Sequence, residues 1–490
     1  MGRSARFCVG AHAAAAATTV EPLGFFIYGF TNLAFPEHVG FYRRVCTDNY
    51  GSNSTVDCSN LTNNRQVELE VQRVTADYTF YRQLSVAIPA IFADLIFGAL
   101  GDKYGRQVNI LIGIIGLIVS EFLLQLVLSS TVAAPLYFFV ISGIATGITG
   151  YQGFFAVSAK PYLADTIADK KMLTVRLGLF MLVNTVSSFV GSLLGGYLIE
   201  VTNYATLLAI EMTGFVAGFF YILVRIKQHP PVNIPIDDPT KNTTTIAGDI
   251  WRSLKDGWLT LSRRRKGSRR LLIGCSMLFY VMMEASNTES RGGLISQYVL
   301  RDTGPNPLRW NAAGLSNWMG YGFLILAVGN ILGTAAKHFW NVRDTTLLLC
   351  CIASSCARNV AIGLASETWH MYLSNVLGFF TSFSLPALTS FMSQIVEPNE
   401  IGKALALLSI SVEILQLVEA TVFIRIYKAT LTIYPGMLYL LLALCLFLCW
   451  LLALWVRHVV KVEQIELSQI RRQPTQQLNV RKENGRDIDA

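Results

Sequence analysis

Apolar runs long enough to cross a bilayer decide what this chain can fold into. Val108 to Leu128 and Met437 to Val456 are almost unbroken, and about 18 to 20 apolar residues in helical form span the ~30 Å of hydrocarbon in a bilayer. No water is available there, so the backbone must satisfy its own N–H and C=O groups, which only helices and closed barrels do. Barrel strands alternate apolar and polar residues; these runs are solid. The expected class is all-α, a polytopic membrane protein. Its 15% charged residues compare with about a quarter in soluble domains.

The runs predict twelve transmembrane helices, at about 18–40, 79–101, 107–129, 134–160, 174–198, 203–225, 271–293, 312–334, 345–366, 370–395, 402–425 and 432–456. The first is interrupted by Glu21, Pro22 and Pro36, and the seventh carries Glu284 and Glu289. Lys and Arg concentrate in the termini and even-numbered connections, including the run Arg263, Arg264, Arg265, Lys266, Arg269 and Arg270. The positive-inside rule then places both termini in the cytoplasm. A basic run beside a span anchors topology, so the net charge of +8 predicts contact with the lipid bilayer and no nucleic-acid partner.

The longest outer loop, 41–78, carries the glycosylation acceptors Asn53 and Asn60, on the side where glycosylation occurs. A third sequon, at Asn242, falls on the inner side and is expected to stay unmodified. Cys46 and Cys58 share the outer loop and are a candidate disulfide. No cleavable signal peptide is expected, the first span serving as anchor. Cys350 and Cys351 have no nearby His, so neither a metal site nor a cofactor is expected. The predicted organisation is a cytoplasmic N-terminus 1–17, a six-helix bundle 18–225, a basic linker 226–270, a second six-helix bundle 271–456, and a polar tail 457–490 that is mobile or an interfacial helix.

Six spans, a linker and six more spans resemble the major facilitator superfamily, as does the segment Gly98-Ala99-Leu100-Gly101-Asp102-Lys103-Tyr104-Gly105-Arg106 between the second and third spans. Gly98 allows close helix approach and Gly105 a tight turn before Arg106 opens the next span. The resemblance implies that Asp102, Lys103 and Arg106 belong to an inner gate that joins the two halves when the carrier faces outward. The second half retains only Gly333, Lys337 and Arg343 of this signature.

Further motifs resemble the solute-carrier family of the proton-coupled folate transporter and its thymic and lysosomal relatives. They are Val20-Glu21-Pro22, Ala164-Asp165, Ser192-Leu193-Leu194-Gly195-Gly196, Tyr427-Lys428-Ala429-Thr430 and Tyr434-Pro435-Gly436. That resemblance implies symport of an anionic solute with protons, and places Asp165 and Arg176 around an inner loop of the gate. The chain departs from the family at Met181 and Thr389, where relatives carry a carboxylate and an arginine respectively.

Ionisable groups within spans are costly, about 2.5 to 3.5 kcal/mol each on insertion scales, and mark pathways or partners. Asp94, Glu121, Glu284, Glu289, Glu413, Glu419 and Arg358 qualify. Glu284 and Glu413 are the proton-coupling candidates, while Glu121 and Glu419 read as pairing carboxylates. Arg358, Glu284, Asn287, Tyr280, Phe154 and Trp318 are the candidate substrate contacts, by charge and by stacking. The chain has no Walker loop and no Gly-x-Ser-x-Gly elbow, so it is not expected to be an enzyme or an ATP-driven pump. The expectation is a monomeric secondary carrier of a small organic, folate-like anion with protons, at the plasma membrane or a lysosomal or endosomal one. The alternative is a receptor or scaffold that keeps the carrier fold without transport.

Overall fold

A computed structural model describes residues 21–35, 37–51, 56–58, 61, 64–104, 106–129, 131–132, 134–150, 162, 170–226, 268–289, 293–340, 342–396, 411, 414–415 and 417–470. Among them there is no strand. The chain is a polytopic, all-α membrane protein, and its described helices gather into two bundles. Seven helical segments among the described residues are long and apolar enough to cross a bilayer, one of them the broken segment Thr368–Met392.

The first bundle contains α1 (Glu21–Gly24), a π-helical turn (Phe25–Gly29), α2 (Phe30–Leu33), α3 (Glu37–Tyr50), α4 (Arg65–Tyr104), α5 (Arg106–Leu128), α6 (Tyr137–Ile148), α7 (Lys170–Val201) and α8 (Tyr204–Arg225). The second contains α9 (Arg269–Glu289), α10 (Gly293–Val299), α11 (Ala312–Trp340), α12 (Asp344–Gly363), α13 (Thr368–Leu377), α14 (Ser384–Ile395), α15 (Ile424–Thr430) and α16 (Met437–Ile470). Two apolar cores fill each bundle, and one core of the second bundle also takes in Val39 and Ala76 from the first. Apolar side chains such as Phe92, Leu444 and Leu448 remain exposed on the outer helix faces, as expected where the solvent is lipid.

Several predicted boundaries differ in the structure. The predicted outer loop 41–78 is largely helical. The first pass breaks after Leu33, where the sequence brings in Pro36 and its missing N–H, and resumes as α3 as far as Tyr50. The second pass begins at Arg65 rather than near 79 and runs for 40 residues, about 60 Å at 1.5 Å per residue. Its extension is amphipathic: Val67, Val71, Val74 and Tyr78 recur at helical spacing and pack on the core that holds Phe41 and Val45. A Cys46–Cys58 disulfide, with Cα atoms 5.8 Å apart, ties the end of α3 to the remaining loop.

The tail predicted from 457 continues the last helix to Ile470. The tenth pass is two helices, α13 and α14, joined through a 3₁₀ turn at Thr381–Phe383. A Cβ on Gly378, at the start of that break, would lie 2.6 Å from Arg358 Cδ. Glycine there gives the arginine stem its passage.

Candidate functional site at the interface of the two bundles

The described polar contacts between the bundles lie at the end that the charge rule assigns to the outside. Glu68 on α4, only 2% exposed, accepts a hydrogen bond from the Asp302 backbone N–H at 2.7 Å and another from the Thr303 hydroxyl. The Leu61 N–H in turn donates to Asp302 Oδ2 at 3.1 Å. Lys428 on α15 pairs with Asp77 on α4 at 2.5 Å. Sequence reading missed this set because Glu68, Asp77 and Asp302 looked like ordinary loop charges.

Below these contacts α7 crosses α11 on small residues, which lets the two backbones approach closely. A Cβ on Gly196 would lie 3.0 Å from Asn317 Oδ1 and 3.2 Å from Ser316 Cβ; one on Gly320 would lie 3.0 Å from Leu193. The neighbouring Gly195 and Gly191 face the other way, where a Cβ would fall on the carbonyls of Leu33 and Gly29 in the first pass. The Gly-Gly step thus joins α7 to its own bundle on one face and to the second bundle on the other. Beside it, Asn32 donates to Ser188 Oγ at 3.1 Å.

On α9, Tyr280, Glu284 and Asn287 stand at i, i+4 and i+7 and are half-buried. The opposite face is fixed: Ser286 and Ser355 hydroxyls meet at 2.9 Å, and Asn359 on α12 donates to Ser286 at 2.5 Å. The structure therefore brings three of the predicted contacts to one face. It places Arg358 and Trp318 elsewhere, inside the second bundle. Arg358 is 3% exposed and its guanidinium lies 5.9 Å from the centre of the Trp318 ring. Trp318 donates its indole N–H to the Met371 carbonyl at 2.7 Å. The cavity beside them is about 10 Å³, room for one water and not for an organic solute. A depression of about 760 Å³ lined by Leu308, Glu367, Trp369 and Tyr372 lies on the second bundle alone.

At the other end, Gly98, Asp102 and Lys103 fall in the last turns of α4 and Arg106 opens α5. The signature thus runs from the end of α4 to the start of α5. The side chains of Asp102, Lys103 and Arg176 lie outside the described residues, as do Gly105, Phe154, Asp165, Glu413, Asn53 and Asn60. The degenerate second copy is more complete than its sequence indicates. Lys337 pairs with Asp344, and Ser390 Oγ donates to Asp344 Oδ2 at 2.8 Å. Asp344, one residue past Arg343, supplies the acid that the signature position lacks, joining α11, α12 and α14.

A second polar centre lies within the first bundle. Glu37 on α3, Glu121 on α5 and Glu211 on α8 place carboxylate oxygens within 4.8 Å of one another. Glu121 and Glu211 are 7% and 2% exposed. Arg82 on α4 reaches Glu37 at 3.6 Å and lies over the Phe139 ring at 4.8 Å. Sequence reading named Glu121 alone, as a pairing carboxylate. Glu211 and Arg82 also sit inside predicted spans, and the rule that selected Glu121 applies to them equally.

The Major Facilitator Superfamily model matches residues 83–290. The fold resembles that of a POT family transporter solved with 5-aminolevulinic acid, with a TM-score of 0.59, 11% identity, and 91% of this chain and 96% of that one covered. It likewise resembles the nucleoside transporter NupG, with a TM-score of 0.58, 12% identity, and 90% and 98% covered. The chain has the major facilitator fold. Its sequence is 25% identical over 450 residues to the chicken (Gallus gallus) lysosomal proton-coupled steroid conjugate and bile acid symporter SLC46A3, covering 88% of this chain and 93% of the relative. It is 24% identical over 433 residues to the probable peptidoglycan muropeptide transporter SLC46 of Drosophila melanogaster, covering 84% and 79%. The chain is thus similar, over most of its length, to members of the solute-carrier family whose motifs it carries, and it shares the fold of solved membrane transporters.

Proposed function

We propose that the chain is a secondary active carrier that moves a small amphipathic organic anion across its membrane by alternating access, coupled to protons. The observation that supports this most strongly is the closure between the bundles at one end, through Glu68 with Asp302 and Thr303, Asp77 with Lys428, and the α7–α11 crossing. These contacts join two bundles that each hold an apolar core of their own, and breaking them together would open that end, as a carrier requires when it exchanges one open end for the other. The inner gate of Gly98, Asp102, Lys103, Gly105, Arg106, Asp165 and Arg176 is proposed to close the opposite end in the alternate state.

The solute class draws on the relatives, named for steroid conjugates, bile acids and muropeptides. These join a bulky body to an anionic group, a chemistry that folates share. The half-buried face of Tyr280, Glu284 and Asn287 is the proposed polar contact for the solute. The membrane is one that maintains a proton gradient, at the cell surface or around a lysosomal or endosomal lumen. The purified chain in proteoliposomes should accumulate a bile acid, a steroid sulfate, a muropeptide or a folate saturably, and faster with an acidic exterior. Uptake no greater than that of protein-free vesicles for the whole panel, at acidic and neutral pH, would leave a non-transporting scaffold as the better reading.

A further inference from the structure

We propose that the cluster of Glu37, Glu121, Glu211 and Arg82 in the first bundle is the proton-binding site that drives the cycle. The inference deepens the carrier reading and rests on it. It assigns the coupling proton to a place other than Glu284 or Glu413.

Three carboxyl groups against one guanidinium leave two negative charges uncompensated if all are ionised. Such charges are not sustained a few ångströms apart in a low-dielectric bundle; carboxyls so placed share protons. Glu121 Oε2, Glu211 Oε2 and Arg82 Nε are all buried with no conventional hydrogen-bond partner, and the Glu121 and Glu211 carboxyls face each other, where one can hydrogen-bond to the other only by carrying a proton. A buried oxygen in that position calls for a bound proton or ligand. Among the described residues, the charged or titratable groups around the cluster are Glu37 and His38 on α3, Arg82 on α4, Glu121 on α5 and Glu211 on α8. From α6 comes the aromatic face of Phe139 under Arg82. Arg82 disfavours a metal ion as occupant, because it already places a positive charge against Glu37.

The cluster also connects to the interface between the bundles. Glu37 opens α3 at the break of the first pass, its backbone N–H donating to Ala34 at 2.8 Å. Two residues on, Val39 packs into the second bundle's core with Leu294, Ile295 and Tyr298 of α10. Movement of α3 as the cluster gains or loses charge is therefore felt at the interface. A proton taken from water on the acidic side converts one carboxylate to its acid, and its release to the other side restores the charge. The pairing of Glu37 with Arg82 is strongest when Glu121 and Glu211 are protonated and no longer compete for the guanidinium.

Two measurements test this. Infrared difference spectra of the purified chain between acidic and neutral buffer should show a deuteration-sensitive carbonyl stretch of protonated carboxyl groups. That band should be lost or reduced in Glu211→Gln and in Glu121→Gln, and kept in Glu284→Gln. An unaltered band in both cluster variants overturns the proposal, as does a band that responds to sodium or calcium and not to pH, which would assign a metal cation. In proteoliposomes, Glu211→Gln should retain exchange of labelled bile acid for unlabelled while losing most of the pH-driven accumulation. Full pH-driven accumulation in that variant also overturns the proposal while leaving the carrier reading intact. If the wild type transports nothing, the carrier reading falls and, with it, the coupling role, even where the infrared band identifies bound protons.

Discussion

Removing the Glu68 carboxylate should release the closed end of the interface. In Glu68→Ala the Asp302 N–H and the Thr303 hydroxyl lose their acceptor across the bundles, and the Gln72 amide loses one within α4. Hydrogen bonds to charged groups contribute about 1.5 to 3 kcal/mol each, and the glutamate is 2% exposed. The two Asp302 and Thr303 groups regain water once the seal parts, so the lower end applies. The loss is then about 3 kcal/mol, or roughly a hundredfold shift of the two-state equilibrium towards opening at that end, at about 1.4 kcal/mol per tenfold. Ser316, fully buried at the α7–α11 crossing, reports the opening when replaced by cysteine. A membrane-impermeant maleimide added to the outer side should label Ser316→Cys slowly, and the double variant ten- to a hundredfold faster. Equal rates in the two proteins would refute the assignment of Glu68 to the gate.

Three further outcomes follow from the same geometry. Gly195→Ala should lower the thermal midpoint in detergent more than Gly196→Ala, because its Cβ falls on a helix carbonyl while that of Gly196 meets an asparagine side chain at 3.0 Å; the reverse order would contradict the two-faced role of this step. Asp344→Asn should cost about 1 to 2 kcal/mol in denaturant unfolding, the 40% exposure of Lys337 reducing what a buried pair would lose; an unchanged midpoint would remove the acid from the inner-end network. Asp102→Asn should slow transport while leaving the amount of protein at the membrane unchanged, and wild-type rates would argue against the gate role.

How much of this was legible depended on which solvent each residue meets. Helical stretches that face lipid, such as α5 and the first part of α16, announce themselves as solid apolar runs. The extension of α4 from Arg65 does not, because water surrounds its polar face and only Val67, Val71, Val74 and Tyr78 record its helical period. The glycines of α7 were legible as packing positions, but not as a step with two partners, since partners come from the fold. Arg358 shows the converse: an arginine in a span reads as an anion site, whereas here it crosses Gly378 to lie against Trp318 inside one bundle. The carboxylate cluster was half legible. Glu121, Glu211 and Arg82 each break an apolar span, but their convergence with Glu37 needed four helices to be placed.

The central claim, that the two bundles exchange one closed end for the other, is tested most directly by a distance across the outer end. Spin labels at Arg73 on α4 and Ile433 between α15 and α16, both exposed, would be followed by electron double resonance in lipid nanodiscs. The exposed Cys350 and Cys445 would first be replaced. Two distance populations are predicted, with a bile acid and acidic pH shifting their ratio and Glu68→Ala favouring the longer. A single distance, unmoved by solute, pH or that substitution, would contradict the account.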